Sequence, residues 1–322
     1  MTSHETDHTG PRHIPIGSEN DGQRIDNFLI TLLKGVPKSR IYRILRKGEV
    51  RVNKGRIRPG YRLKKGDMVR IPPIRVSCDR PPDSPAPYLS ARLAQATLYE
   101  DDGLLVINKP SGIAVHGGSG LSQGIIETLR AGRPEERFLE LVHRLDRDTS
   151  GCLMVAKKRS VLRKLHELLR CDKFDKRYLA LVEGEWKGGE KKVEAPLRKN
   201  MLSSGERIVR VDPQGKPAIT LFRPVRRYSG ATLLEATLLT GRTHQIRVHA
   251  AHVGHPIAGD AKYGSPTFNK RMRNLGLKRL FLHARTVSFE LPPEDVPLEF
   301  HAPLPDELEA VLNQLEKLQA RK

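Results

Sequence analysis

Apolar residues early in the chain recur at the spacing of helices. One set recurs every three to four positions and predicts an amphipathic helix: Ile25, Phe28, Leu29, Leu32 and Leu33. A second helix is predicted from Ser39, whose side chain can cap it, to Lys47, after which Gly48 ends it. The runs VRVN, YRL and MVRI follow, separated by the turns NKGR and KKGD. They predict a small sheet beside the two helices.

The longer second part of the chain mixes strand-like and helical patterns. The strand-like runs are LLVIN, CLMVAK, YLALVEG, ITLFRPV, TLLEATLL and TVSFEL, and SVLRKLHELLR reads as a helix between two of them. The end of the chain, from Pro305 to Arg321, predicts a helix with one apolar face: Leu308, Val311, Leu312, Leu315 and Leu318. These patterns indicate an α+β fold.

Composition divides the chain into four parts. Residues 1–20 are polar and predict a disordered tail. Residues 21–80 form a small basic domain, and residues 81–95 form a proline-rich linker that should be neither helix nor central strand. Residues 96–322 form the larger domain. The length of 322 residues suits two domains.

Charge points to an acidic polymer as the partner. The chain has 57 Lys and Arg against 37 Asp and Glu, a net charge of +20. Residues 22–75 alone hold 16 Lys and Arg against only Asp26, Glu49 and Asp67. Nucleic acid is therefore the first expectation and an anionic membrane surface the second. The exposed basic face of the second predicted helix, with the rim that follows it, should contact RNA: Arg40, Arg43, Lys47, Arg51 and Lys54.

Several other classes are disfavoured. Three cysteines without metal-ligand spacing predict no disulfide framework and no zinc ribbon, and they fit a reducing cytoplasm. The N-terminus lacks a signal-peptide pattern, and no apolar run reaches 18 residues, so a soluble protein that is not exported is expected, with RNA rather than a membrane as its partner. The phosphate-loop, nucleophile-elbow, HExxH and dinucleotide-binding motifs are absent from the sequence.

Two clusters could carry chemistry. HRLDRDTSG, residues 143–151, crowds charges between two apolar runs, where Asp146 could ionise beside two arginines. LLTGRTHQIRVHAAHVGHPIAGD predicts a strand, a turn with Arg242, and a helix that Thr243 caps and Gly254 ends. Arg242, on this turn, is also expected to contact RNA. The histidines of this second cluster lack acidic or cysteine ligands beside them, so no metal site is expected.

Two resemblances follow from these residues. QRIDNFLITLLKGVPKSRIYRILRKGEVRVNKGRI resembles the S-four RNA-binding module, which implies two helices and a small sheet that dock on folded RNA. INKPSG, HRLDRDTSG, KRYLALVEG, LTGRTHQIRVH and HPIAGDAKYG resemble, in order and spacing, the motifs of the RluA-type pseudouridine synthases. That resemblance covers nearly the whole chain and implies a mixed, largely antiparallel catalytic sheet.

The resemblance also implies a reaction and its residues. Such enzymes isomerise uridine to pseudouridine in RNA without metal, cofactor or energy source. Asp146 matches the catalytic aspartate, which either adds to the anomeric carbon or otherwise assists cleavage. Arg247 matches its arginine partner, Tyr178 the tyrosine that stacks on uracil, and Arg144 the arginine that helps evict the target base. The competing acid, Asp148, is expected to close the turn.

The expected substrate is 23S ribosomal RNA, either free or in an assembling large ribosomal subunit, modified by a monomer. Two alternatives stay open. A non-catalytic assembly factor could use the same basic surface, and a metal-dependent nuclease could use the histidines. Net charge does not distinguish these alternatives from a pseudouridine synthase, since phosphate binding is salt-sensitive in every case.

Overall fold

The computed structural model describes residues 10–33, 36, 38–74, 87–117, 124–201, 207–291 and 296–320. The chain divides into two compact units, Met1–Asp83 and Ser84–Lys322. Across the described ranges, no helix combines the length and the apolar character needed to cross a bilayer.

The N-terminal unit packs two helices against a small antiparallel sheet. Its elements are β1 (Arg12–Pro15), a 3-10 helix (Ser18–Asn20), α1 (Ile25–Leu32), α2 (Lys38–Lys47), β2 (Arg51–Val52), β3 (Gly55–Arg56) and β4 (Met68–Ile71). The strand order is β1-β4-β2-β3. The apolar faces of both helices meet the sheet in one core, with Leu29, Ile41 and Val69 fully buried.

Two predictions for this unit are wrong. The tail predicted over residues 1–20 is ordered from residue 10, because β1 pairs with β4 and Ile16 is buried in the core. Ile14 and Ile16 alternate at the strand period, which two residues are too few to reveal. The YRL run is no strand: Arg62 forms a single bridge to Arg24, and neighbouring backbone groups bond to the segment before α1. Residues 1–9 lie outside the described part.

The C-terminal unit is built on one large sheet. Its elements are α3 (Pro87–Gln95), β5 (Thr97–Glu100), β6 (Leu104–Lys109), α4 (Ile125–Ala131), β7 (Glu140–Leu141), β8 (Ser150–Ala156), α5 (Arg159–Arg170), β9 (Asp175–Glu183), β10 (Lys191–Glu194), β11 (Leu197–Met201), β12 (Arg207–Val211), β13 (Ile219–Tyr228), β14 (Ala231–Leu238), α6 (Gln245–His252), α7 (Pro266–Asn274), β15 (Leu282–Leu291), β16 (Val296–His301) and α8 (Asp306–Ala320).

The order of the main sheet is β10-β13-β14-β9-β15-β8-β6-β5, with β16 beside β15 and β7 beside β8. Each of these pairs is antiparallel except β15 with β8, which run parallel through His283 opposite Ser150. β11 and β12 form a separate hairpin. The predicted α+β class and the largely antiparallel sheet are therefore confirmed.

Two further predictions need correction here. Residues 87–95 of the predicted linker form helix α3, whose Leu93 is buried in the core against α4. The helix is possible because its own proline, Pro87, occupies the first turn, where the missing N–H is not needed. On α8, Leu308, Val311, Leu312 and Leu315 are buried as predicted, whereas Leu318 is 41% exposed near the end of the chain.

Candidate functional site

Asp146 lies in the loop between β7 and β8, and its side chain is 26% exposed. Its backbone carbonyl accepts a hydrogen bond from Thr149 N–H, 3.2 Å away, which closes the turn. Asp148 is exposed, and its carbonyl accepts a hydrogen bond of 2.7 Å from the Ser111 hydroxyl. The two acids of the loop therefore differ: Asp146 is half-buried, while the backbone of Asp148 joins the loop to the neighbouring segment.

A buried lysine forms hydrogen bonds that support the Asp146 loop. The Lys109 side chain is fully buried, and its ammonium donates to the carbonyls of Pro110 (2.8 Å), Ile113 (2.8 Å) and Arg147 (2.9 Å). Burial lowers the pKa of Lys109 to about 7. Because Arg147 follows Asp146 directly, this tether fixes the backbone that carries the carboxylate.

Arg247 is the nearest cation to Asp146. Its Nη1 lies 3.5 Å from Asp146 Oδ2, while its Nε and Nη2 donate to the two oxygens of Asp260 at 2.7 and 2.8 Å. Burial by itself raises the pKa of Asp260, but Arg247 and the N–H groups of Tyr263 and Lys262 hold it below its usual range. The bidentate pair fixes the guanidinium and leaves one edge facing Asp146.

Tyr178 lies in the middle of β9 and is 8% exposed. Burial and then the negative charge of Asp146 raise the pKa of its hydroxyl, so the phenol keeps its proton. Its strand neighbours are Ala236 and Ala284, which are buried in the same core cluster. The sheet thus brings together Asp146, Arg247 and Tyr178 from three distant parts of the sequence.

Two more side chains complete this cluster, and the sequence analysis did not single them out. His244 Nε2 lies 3.8 Å from Asp146 Oδ2, and His244 Nδ1 lies 2.8 Å from the Tyr263 hydroxyl. The Tyr263 ring also stacks 5.0 Å from the Arg247 guanidinium. The motifs GRTHQIR and HPIAGDAKYG contained both residues, but no spacing in the sequence indicated that they meet.

His244 also changes the predicted start of α6. The helix begins at Gln245, and His244 is its N-cap with left-handed backbone angles (φ 56°, ψ 19°), so the predicted cap at Thr243 is wrong. A left-handed conformation is uncommon for a residue with a side chain. The ring that this residue carries has Nε2 3.8 Å from Asp146 Oδ2. The predicted end of the helix is close to the observed one, since Gly254 has φ +85°.

The two remaining arginines predicted for the site are exposed. Arg144 is exposed two residues before Asp146. Arg242 is exposed at the turn before α6, where its Nε donates to the carbonyl of Pro217 at 3.0 Å. Both guanidinium groups can therefore reach a molecule bound over the loop.

Of the three other histidines in this region, two contact backbone carbonyls elsewhere and one is exposed to solvent. His249 Nε2 lies 2.9 Å from the Ala195 carbonyl, and His255 Nδ1 lies 2.8 Å from the Glu183 carbonyl. His252 is exposed. Within the described ranges no group of three His, Cys, Asp or Glu side chains converges as a metal site would require.

A polar cavity of about 620 Å³ adjoins the Asp146 loop at Asp148. Its walls include Lys109, Asp148 and Arg279, but none of Asp146, Tyr178 or Arg247. The buried cations of the cavity already have hydrogen-bond partners. Lys109 donates to three carbonyls, and Arg279 donates to Glu307, the Ser150 hydroxyl and the Leu280 carbonyl. The cavity's inner polar groups therefore support the loop.

The N-terminal unit presents a basic surface. Of the residues expected to contact RNA, Arg43, Lys47, Arg51 and Lys54 are exposed, and Arg40 is half-buried. Two of the three acids in this segment are buried instead. Asp26 accepts hydrogen bonds from Arg24 and Tyr42, and Asp67 accepts from Tyr61, Asn53 and Lys64 N–H. The exposed surface of this segment is therefore even more basic than its numbers of acidic and basic residues indicate.

Two family models match the chain. The model described as RNA pseudouridylate synthase matches residues 103–252, and the S4 domain model matches residues 23–69. Relatives named "Ribosomal large subunit pseudouridine synthase C" are similar over most of the chain. That of Haemophilus influenzae is 59% identical and covers 94% of both chains. That of Escherichia coli strain K12 is 58% identical and covers 94% of this chain and 96% of its own.

A solved structure has the same fold over most of its length. The human protein titled RNA Pseudouridylate Synthase Domain Containing 4 is 27% identical, with a TM-score of 0.60, over 71% of this chain and 96% of its own. The match spans the larger part of the present chain.

Proposed function

Because the chain belongs to the RNA pseudouridylate synthase family, we propose that it isomerises specific uridines of 23S ribosomal RNA to pseudouridine. The relatives that are 58% and 59% identical are named for the large ribosomal subunit, and the basic surface of the N-terminal unit suits a folded RNA. We further propose that the enzyme acts in the cytoplasm as a monomer, without metal or cofactor, on free 23S RNA or on an assembling large subunit.

One observation carries the proposal. Asp146, a half-buried carboxylate, is held between Arg247 and His244 and beside the protonated Tyr178. Arg247 Nη1 and His244 Nε2 both approach one oxygen of the carboxylate and so orient the group. The cluster contains a carboxylate, an arginine to orient it and an aromatic ring for a base, which are the parts that uridine isomerisation requires.

The reaction breaks one bond and forms another on the same sugar. The bond from N1 of uracil to C1′ of the ribose breaks, the ring turns, and C5 bonds to C1′; C5 then loses its proton while N1 gains one, so the formula is unchanged. We assign the glycosidic step to Asp146, which either adds to C1′ or otherwise assists cleavage. Arg247, whose Nη1 lies 3.5 Å from Asp146 Oδ2, orients the carboxylate for either role.

Tyr178 and Arg144 act on the base and on the RNA strand in this proposal. The Tyr178 ring supports the uracil by stacking, and its hydroxyl helps to move the C5 proton. A uridine within a stacked strand has to be flipped out before it reaches Asp146. The exposed Arg144, two residues before Asp146, occupies the space that the flipped base leaves.

The test is to incubate the enzyme with unmodified 23S RNA, with 16S RNA as control substrate and Asp146→Asn as control enzyme. Pseudouridine is mapped by carbodiimide labelling and primer-extension stops, and RNA binding is measured for both proteins. We expect stops in 23S RNA with the parent enzyme alone and equal binding by the variant, because the substitution removes a charge but little volume.

Modification of 16S RNA in place of 23S RNA would overturn the proposed substrate while leaving the reaction intact. Equal stops with parent and Asp146→Asn would overturn the role of Asp146. If neither 23S RNA nor large-subunit particles acquire stops while both proteins bind tightly, the non-catalytic assembly factor becomes the better description.

A further inference from the structure

His244 stands beside the reacting carboxylate without an assigned role. Its side chain is 17% exposed, and Nε2 lies 3.8 Å from Asp146 Oδ2, the same oxygen that Arg247 Nη1 approaches at 3.5 Å. Such contacts are commonly long in the free enzyme and shorten when substrate binds. Two nitrogens therefore address one oxygen of Asp146, and Oδ1 is the oxygen they leave for substrate.

The hydrogen bonds of Tyr263 decide which ring nitrogen of His244 carries the proton. The backbone N–H of Val209 donates to the Tyr263 hydroxyl oxygen at 2.9 Å, and that hydroxyl lies 2.8 Å from His244 Nδ1. If Nδ1 carried the proton, the bare lone pair of Nε2 would face the Asp146 carboxylate, and the two would repel. The favourable arrangement has the Tyr263 hydroxyl donating to Nδ1 and the Nε2 proton directed at Asp146.

We propose that His244 is a positioning residue, which Tyr263 locks in its Nε2–H form so that it donates to Asp146 Oδ2 and leaves Oδ1 to act on the ribose. The inference rests on the proposed reaction at Asp146. It also gives a role to the uncommon left-handed N-cap of α6, which is the residue that carries this ring.

The charges around His244 are consistent with a neutral ring. Burial lowers its pKa; Asp146 and Asp260 act to raise it, and Arg247 and Lys262 act to lower it. The hydrogen bond from Tyr263 further favours the neutral form, since an imidazolium has no lone pair to accept it. Replacing that hydroxyl should therefore raise the pKa of His244.

The first experiment observes the tautomer directly. Long-range proton–nitrogen NMR spectra of the full-length enzyme with ¹⁵N-labelled histidine distinguish a protonated from a bare ring nitrogen, and His244→Gln assigns the signals. We expect Nε2 protonated and Nδ1 bare at neutral pH. In Tyr263→Phe we expect a mixture of tautomers and a raised midpoint of the His244 titration. A ring protonated at Nδ1 in the parent would overturn the inference.

The second experiment measures catalysis under single-turnover conditions. His244→Leu removes the donor, and we expect the rate to fall roughly 10- to 100-fold with RNA binding unchanged, as for loss of a hydrogen bond to a charged group. His244→Gln places an amide N–H near the position of Nε2 and should recover most of the rate. His252→Ala, an exposed histidine on the same helix, is the matched control and should behave as the parent.

The outcomes separate this inference from the proposed function. If His244→Leu keeps the parent rate, or changes RNA binding alone, His244 does not position the carboxylate. If Leu and Gln variants lose the rate equally while their melting temperatures match the parent's, a donor at Nε2 is not the requirement. Were the parent to modify an RNA other than 23S, the proposed substrate would fail, whereas both experiments could be repeated with that RNA.

Discussion

A phenol buried beside a carboxylate holds its proton at neutral pH, and this is the state that makes Tyr178 useful. A phenolate in this position would repel Asp146, whereas the neutral hydroxyl can donate or relay a proton. The raised pKa of Tyr178 follows from its place in the centre of β9, where the sheet removes water from both sides. The proposed reaction therefore uses both the ring of Tyr178 and its protonated hydroxyl.

Tyr178→Phe separates these two properties. We expect the variant to bind 23S RNA like the parent, because the ring remains, and to lose roughly 10²-fold or more in turnover, because the hydroxyl is gone. The measurement is a single-turnover rate together with a binding constant. Tyr99→Phe is the control, because the Tyr99 hydroxyl donates to Asp101 in the turn that follows β5. Full turnover by Tyr178→Phe would reduce the residue to a stacking surface.

At this scale, motifs predicted the members of the site but not their arrangement. Asp146, Tyr178 and Arg247 could be selected from HRLD, KRYLALVEG and GRTHQIR. His244 could not, because its contact with Asp146 depends on a left-handed backbone and on Tyr263, nineteen residues away. A sequence shows which side chains are present and does not show how a cap directs them.

At the level of secondary-structure elements, the last residue of β6 supports a loop outside that strand. Lys109, its last residue, reaches across to the Asp146 loop and bonds to three carbonyls. Buried carbonyls without partners destabilise a fold, so one side chain stabilises both the turn after β6 and the catalytic loop. Its pKa of about 7 shows how strongly the surrounding protein opposes a charge there.

Lys109→Met tests this tether. The variant keeps a similar volume but leaves three carbonyls without their donor, so we expect the free energy of unfolding to fall by about 2 kcal/mol or more. Turnover should fall even well below the melting temperature, because Arg147 and therefore Asp146 lose their support. Thermal unfolding and single-turnover rates measure both effects. The exposed Lys158→Met serves as control; a fully active and stable Lys109→Met enzyme would show that the loop needs no tether.

Elements with a clear apolar pattern could be predicted, whereas β1 and α3 could not. The first two helices, most sheet strands and the last helix follow the apolar periodicity. β1 and α3 were missed, because four residues are too few to show a period and because prolines before a helix look like prolines within one. Both elements are ordered by tertiary packing, which local sequence does not contain.

The whole molecule distributes its charge unevenly. Asp26 and Asp67 of the N-terminal unit are buried, so that residues 22–74 leave a strongly basic surface for RNA. Each phosphate that such a surface neutralises releases counterions, so binding should weaken steeply with salt. The catalytic cluster contributes little to this attraction, because Arg247 is already paired with Asp260.

Reversing two charges on α2 tests the docking role. For Arg43→Glu combined with Lys47→Glu, we expect weaker binding of 23S RNA and a smaller dependence of the binding constant on salt, by a slope of about 2 for two lost phosphate contacts. Arg163→Glu with Arg170→Glu on α5 makes the same change of net charge and should have the smaller effect. Equal losses in both pairs would mean that net charge alone attracts the RNA.

The strand order has a consequence for how this enzyme comes to exist in the cell. β15 is the last but one strand in sequence, yet it lies in the middle of the sheet between β9 and β8. Until residues 282–291 leave the ribosome, the two halves of the sheet have no strand to join them, and Tyr178 and Asp146 sit on opposite sides of the gap. We therefore expect a nascent chain to bind RNA before it can modify RNA. Activity should appear only after residues 282–291 have been synthesised.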